Sequence, residues 1–161
     1  MSARPDPVLP ADEAARVLAL TLWREAETAA LAFSDPATGA PMIARIGFGL
    51  AADGTGLTLV SDLSQHTRAL RADPRAALLL GEPGPKGDPL NGPRLSVSVT
   101  ARFAASDDRA ALRTAWLARQ PKAKLYVDFA DFHFVRFDVT EAFLNGGFGR
   151  AYRIAADDLR S

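Results

Sequence analysis

The chain contains no cysteine and only two histidines, His66 and His133. The first absence removes disulfide frameworks, thiolate nucleophiles, iron–sulfur clusters and zinc sites built on thiolates. The second leaves two imidazoles to share every role as metal ligand or histidine base. Charge of one sign is lacking as well. Nineteen basic residues face nineteen acidic ones, so the formal net charge is zero. A broad polyanion surface is therefore not expected, which argues against nucleic acid and anionic membranes as partners. Long apolar runs are missing too: nothing approaches the ~18 residues of a membrane span. Met1 to Pro10 has no apolar segment of signal-peptide length, and a soluble cytoplasmic protein is expected.

What the chain does have is ordinary globular material. Its 161 residues are 48% hydrophobic and 24% charged, enough for one core. Pro5, Pro7 and Pro10 mark residues 1–10 as an extended leader, and residues 11–161 are expected to form a single domain. Asp12 stands where a helix N-cap belongs, and Val17, Leu18 and Leu22 recur at helical spacing over Ala14 to Arg24. Strands are expected at Thr28 to Phe33, Pro41 to Leu50, Leu57 to Ser61, Arg75 to Gly81, Leu95 to Phe103, Asp131 to Val139 and Glu141 to Leu144. Asp53-Gly54 is a hairpin signal between the second and third of these. Ser64 or Asp62 caps a short helix ending before Pro74, and a helix from Ser106 carries Leu112 and Trp116 on its buried side. About six strands with flanking helices point to an antiparallel barrel or sheet of the α+β class.

Four stretches carry chemistry. Ser61-Asp62-Leu63-Ser64-Gln65-His66-Thr67-Arg68 gathers hydroxyls, an imidazole and a guanidinium where a strand enters a helix. Free N–H groups and partial positive charge at a helix start suit a phosphate. The residues alone equally allow an ordinary serine cap with solvated neighbours. Arg45 interrupts an apolar strand; it either snorkels outward or meets the same anion through the Asp53-Gly54 hairpin. Lys86-Gly87-Asp88-Pro89-Leu90 with Arg94 lies in the one long loop, where glycine allows close approach to a ligand. Gly146-Gly147-Phe148-Gly149-Arg150 lacks the strand–glycine–helix setting of a dinucleotide fingerprint and reads as a tight bend. His133 alternates with apolar residues, as a hydrogen-bonded core or interface histidine would. Phe129, Phe132, Phe134, Phe137, Phe143 and Phe148 are expected to be mainly core.

Taken in order, Thr38-Gly39-x-Pro41 with Arg45, Ser61-x-x-Ser64-x-His66-Thr67-Arg68-x-Leu70 and Asp73-Pro74-Arg75 resemble the pyridoxamine 5′-phosphate oxidase-like proteins. Gly87-Asp88-Pro89-Leu90, Pro93-Arg94-Leu95, Asp131-Phe132 and Gly147-Phe148-Gly149-Arg150-Ala151 are similar to the branch linked to haem utilisation. The likeness runs from about Leu18 to Ala151. It implies a six-stranded antiparallel split β-barrel with flanking helices, forming a homodimer with FMN at the subunit interface. It further implies that Arg45, Ser61, His66, Thr67 and Arg68 surround the FMN phosphate and ribityl chain. Lys86 and Arg94 would lie near the isoalloxazine or the partner subunit. The implied activity is an FMN-dependent redox step on a small substrate. The alternatives are a haem- or flavin-binding module without turnover and a barrel that has lost its cofactor. Ala44 and Ala69 stand where members often carry serine and asparagine. Ten residues follow Ala151, where haem-degrading members typically continue into a domain with a haem-ligating histidine. Arg150-Ala151-Tyr152-Arg153 does not match the arginine–histidine substrate motif of the true oxidases.

Overall fold

The computed structural model describes residues 7–147 and 149–160. Its elements in chain order are β1 (Val8–Pro10), α1 (Glu13–Glu25), β2 (Thr28–Ser34), β3 (Pro41–Gly47), β4 (Gly49–Leu50), β5 (Gly56–Ser61) and α2 (Gln65–Ala72). They continue with β6 (Arg75–Leu80), β7 (Arg94–Phe103), α3 (Arg109–Arg119), β8 (Phe132–Asn145) and β9 (Ala151–Ile154).

The first helix shows how local rules and packing divide the work. The Asp12 carboxylate accepts from the Ala15 N–H at 2.8 Å, which satisfies one of the orphan donors of the first turn. The buried stripe is Ala15, Ala19 and Trp23, four residues apart, with Leu18 and Leu22 packed beside it. Val17, expected on that stripe, is 56% exposed. Two alanines let the helix sit close to the sheet, and the tryptophan fills the space they leave.

The sheet order is β1-β9-β8-β7-β6-β2-β3, with β5 also on β8 and β4 on β5. The 14-residue β8 organises it. Its first half, Phe132 to Phe137, pairs with β5; its second, Ala142 to Asn145, pairs with β9; β7 runs along both. A register shift between Ser98 and Val99 of β7 lies opposite Val139 and Glu141, so Thr140 is the extra residue of a bulge. Where two strands were expected, Asp131 to Val139 and Glu141 to Leu144, there is one bulged strand. A bulge interrupts the side-chain alternation without ending the ladder, so period counting splits the strand.

Three further expectations need correction. Nine strand segments are described rather than six. Residues 1–6 of the expected leader lie outside the described residues, while Val8 to Pro10 join the sheet parallel to Ala151 to Arg153. Pro41 to Leu50 breaks at Phe48, whose N–H leaves the ladder for the Glu27 carbonyl at 2.8 Å. Only Gly49–Leu50 pairs across the Asp53-Gly54 turn; Arg45 stands on β3, which pairs with β2 instead. The hairpin therefore does not bring Arg45 to the strand that leads into α2.

The core has two parts. Trp23, Leu31, Phe48, Leu78, Leu80, Leu95, Val97, Phe137 and Leu144 pack between α1 and the sheet. Leu57, Leu112, Trp116, Val127 and Phe134 pack between α3, β5 and β8. Gly47 and Gly49 pass the Trp116 ring so closely that an added Cβ would lie 3.2 Å and 3.5 Å from it. Among the expected core phenylalanines Phe134 and Phe137 are buried, whereas Phe129 is 56% exposed and Phe148 lies outside the described residues.

Candidate functional site

The corner between β5 and α2 is built by its own hydrogen bonds. Ser61 Oγ donates to Asp131 Oδ2 at 2.8 Å and accepts from the Leu63 N–H at 3.1 Å. Thr67 Oγ1, fully buried, donates to the Ser61 carbonyl at 2.6 Å. The Asp62 N–H reaches the Asp131 carbonyl at 2.8 Å, and the Ser64 and Thr67 N–H groups turn back to Ser61 and Ser64. A hydroxyl has one proton to give. Both Ser61 and Thr67 give theirs inward. They shape the corner; in this arrangement they offer a ligand no proton.

Asp62, on the same corner, accepts from His133 of β8 at 2.9 Å and lies 3.5 Å from the Arg71 guanidinium. The His133 hydrogen bond is the main cause that holds its carboxyl below the usual range. His133 is hydrogen-bonded as expected, but its side chain is 31% exposed and it does not belong to the core. Arg109 of α3 completes the frame: it donates to the carbonyls of Phe132 at 3.0 Å and Val127 at 2.6 Å, tying residues 121–131 to the end of β8. Arg109 is a residue that sequence reasoning did not single out, and Asp62 entered it only as a candidate cap of the short helix, a position that Ser64 occupies. Asp131 carried one signal, its place beside Phe132 in the resemblance.

What remains open on α2 is the side away from the corner. Ser64 occupies the N-cap position without capping through its side chain. Arg68 is exposed and makes no hydrogen bond or ion pair among the described residues. Its side chain borders a recess of about 250 Å³ with Phe33, Asp35, Pro36, Ala37, Met42 and Gln65. The Asp35 carboxylate is engaged by the Ala37 and Thr38 N–H groups of its turn. The recess therefore combines an aromatic and a thioether wall with one uncommitted guanidinium.

His66 packs edge-on to Phe33, ring centres 6.1 Å apart, and burial pushes its pKa below the ordinary histidine value of 6.5. The sign follows directly. Between the unfolded and the folded pKa the unfolded chain binds more protons, so stability is lost as pH falls through that window. Thermal unfolding followed from pH 7.5 to 5 should show His66→Gln losing less stability than the unmodified chain. An equal loss in both would place the titration elsewhere.

Arg45 and Arg68 do not meet within the chain. Met42, Ala44 and Ile46 pack toward the core, so Ile43 and Arg45 point to the opposite face of β3. There Arg45 borders a groove of about 280 Å³ with Ala30, Leu79, Glu82, Leu90 and Arg94. Arg94 is anchored in it by bonds to the carbonyls of Leu90 at 2.9 Å and Gly92 at 3.3 Å. Lys86 is exposed on the loop and lines neither recess. The structure thus groups Arg45 with Arg94, groups His66 with Arg68 across Phe33, and uses Ser61 and Thr67 beneath them. Among the described residues no three His, Cys, Asp or Glu side chains cluster as a metal site, and no helix is long and apolar enough to cross a membrane.

The strands form one sheet that branches at the long β8, with α1 and α3 packed against it, the α+β architecture of a split β-barrel. The chain belongs to the pyridoxamine 5′-phosphate oxidase family, whose model matches residues 18–146. It is 36% identical over 126 residues to the non-canonical heme oxygenase HOZ, chloroplastic, of Arabidopsis thaliana, a match covering 71% of this chain and 37% of that protein. The chain therefore spans just over a third of the length of this curated relative. The protein Atu2129 of Agrobacterium tumefaciens, of unknown function, is similar at 31% identity, with a TM-score of 0.84 over 97% of this chain and 65% of that one. A heme binding protein from Mycobacterium smegmatis is 28% identical, with a TM-score of 0.82 over 98% of this chain and 61% of that one.

Proposed function

We propose that this protein is a homodimeric split barrel of haem utilisation, which holds a planar cofactor with anionic substituents, haem before FMN. The observation that carries the reading is Arg68, an unpartnered guanidinium at the mouth of a recess walled by Phe33 and Met42. An aromatic plane with a charged tail needs that pairing of an apolar wall and a cation. Likeness to HOZ and to the mycobacterial heme binding protein supports haem as the plane. Haem, when bound, supplies an iron centre for oxygen or electron chemistry; FMN would supply hydride or electron transfer.

The chain's own part is binding and orientation. Arg68 pairs with an anionic substituent, Phe33 and Met42 exclude water from the ring, and the Ser61–Asp131 and Thr67–Ser61 bonds hold the start of α2 in place. A second copy covers the outer face of β2, β3 and β6, where Ile43 is 72% exposed beside Ala30, Ala32 and Leu79. In that arrangement Arg45, Arg94 and the Lys86 loop approach the partner's ligand. Residues 11–161 act as one domain.

FMN as cofactor of an oxidoreductase with a small substrate is the second reading. It is favoured by the Gln65 and His66 N–H groups, which stand at the first turn of α2 beside Arg68 and have no acceptor among the described residues. Titration of the purified protein with hemin and with FMN separates the two. A Soret shift with micromolar hemin and no quenching of FMN fluorescence supports haem; the reverse supports FMN. Binding of neither, or a monomer mass by sedimentation at micromolar concentration, overturns the proposal.

A further inference from the structure

The Asp53-Gly54 turn borders a cavity of about 580 Å³ that shares no lining residue with the recess of Arg68 or the groove of Arg45. Its wall is drawn from four places distant in sequence: Arg24 in the last turn of α1, Leu50 and Asp53 of the β4–β5 hairpin, Arg119 at the end of α3, and Leu159 and Arg160 beyond β9. Three guanidiniums stand there against one carboxylate, and that carboxylate is already taken. Asp53 pairs with Arg136 and accepts from the Thr55 N–H at 3.1 Å. Asp158, on the turn before Arg160, lies 3.6 Å from Arg16 and is not part of the wall. The wall is therefore locally positive in a chain of zero net charge.

Helix ends of this polarity present carbonyl oxygens, which repel an anion. Here they are covered. Arg119 Nη2 donates to the carbonyls of Arg24 and Ala26, and Gln120 Nε2 donates to that of Glu27 at 2.8 Å. What the wall lacks is an acceptor. Three buried side-chain nitrogens of the described residues have no hydrogen-bond partner, those of Trp116, Arg119 and Arg136, and Arg119 Nε belongs to this wall. Arg160 is exposed and its side chain makes no hydrogen bond or ion pair among the described residues. The N–H groups of Ala52 and Asp53, also in the wall, have no acceptor among them either. A buried donor of a charged group is costly to leave unpaired, and an acceptor arriving through the cavity removes that cost.

We propose that this cavity is a second anion site, separate from the cofactor recess, which takes a small phosphate-bearing molecule on Arg119, Arg160 and the hairpin N–H groups. A tetrahedral phosphate accepts donors from several directions at once, as guanidiniums on separate elements and turn amides supply them. A planar carboxylate is satisfied by one fork. Because the donors come from α3, the hairpin and the last turn, an occupant ties these elements together and stabilises the native chain.

The probes are pyrophosphate and glycerol phosphate, an anhydride and a monoester, with succinate as the dicarboxylate control, all at fixed ionic strength. Titration calorimetry is expected to show one saturable site per chain for at least one phosphate, and thermal unfolding to move upward with it. Arg160→Glu should weaken that binding roughly tenfold or more, because one charge-assisted bond is lost and a repelling carboxylate is added. Arg119→Lys keeps the charge without Nε and should weaken it as well. Arg119 also holds the end of α1, so Arg160→Glu carries the test if Arg119→Lys does not fold. Hemin affinity in Arg160→Glu should equal that of the unmodified protein. Absence of saturable phosphate binding, or binding unchanged in Arg160→Glu, overturns the inference and leaves the haem reading standing. Succinate bound as tightly as the phosphates overturns the assignment of ligand class. Loss of hemin binding in folded Arg160→Glu overturns the separation of the two sites.

Discussion

Arg68→Glu is expected to lower hemin affinity by roughly a hundredfold, while the unfolding midpoint stays within a degree or two of the unmodified protein. The size follows from a charge-assisted hydrogen bond, worth about 1.5–3 kcal/mol, with repulsion from the introduced carboxylate added to the loss. The small stability change follows from the side chain's surroundings. Arg68 is exposed and bonded to nothing among the described residues, so its removal leaves no buried group of theirs unpaired. Arg68→Lys keeps the charge but not the planar fork and should fall between the two. Spectrophotometric titration at fixed ionic strength measures this. If Arg68→Glu binds hemin as the unmodified protein does, the recess beside Phe33 is not the site.

The second large effect concerns stability. Trp23 is 1% exposed, donates from Nε1 to the Gly54 carbonyl at 3.1 Å and meets the Phe48 ring edge-on at 5.0 Å. Its ring also fills the space above Gly56, where an added Cβ would lie 2.8 Å from Cη2. Trp23→Ala opens a cavity between α1 and the Asp53-Gly54 hairpin and leaves a carbonyl without its donor. A loss of about 3–5 kcal/mol is expected, against a total of roughly 5–15 kcal/mol for a domain of this size. Trp23→Phe keeps most of the volume and gives up the hydrogen bond, and should cost less than half as much. Urea unfolding with unchanged m-value reads both. Equal losses in the two variants would show that the hydrogen bond, not the packing, holds the hairpin to the helix.

The expectations that held share one property: their cause is local. The Asp12 cap needs only the next three residues, and the alternation of Leu95, Val97, Val99 and Ala101 needs only one strand with one buried face. The Asp53-Gly54 turn needs a glycine at positive φ, and Gly54 has φ of 80°. The expectations that failed depended on neighbours distant in sequence. Val17 lost its place on the buried stripe because Trp23 had a pocket between Phe48 and Gly56 waiting for it. Phe48 broke a continuous strand because the Glu27 carbonyl and the Trp23 ring were better partners than the ladder. Val8 to Pro10 became a strand only because Ala151 to Arg153 offered an edge.

The candidate site divides along the same line. The sequence alone determined the inventory: no thiol, two histidines, and a run from Ser61 to Arg68 that places hydroxyls and a guanidinium where a strand becomes a helix. It also carried enough ordered motif to resemble the family to which the chain belongs. Only the tertiary structure decided how those groups are spent. A hydroxyl or guanidinium serves a ligand only if no nearer partner claims it, and the partners come from elsewhere in the chain. Asp131, seventy positions beyond Ser61, takes its proton, while Arg68 has no claimant among the described residues. Arg45 turns to the opposite face because β2, not β5, is its neighbour, and strand pairing fixes which side of a sheet a residue faces.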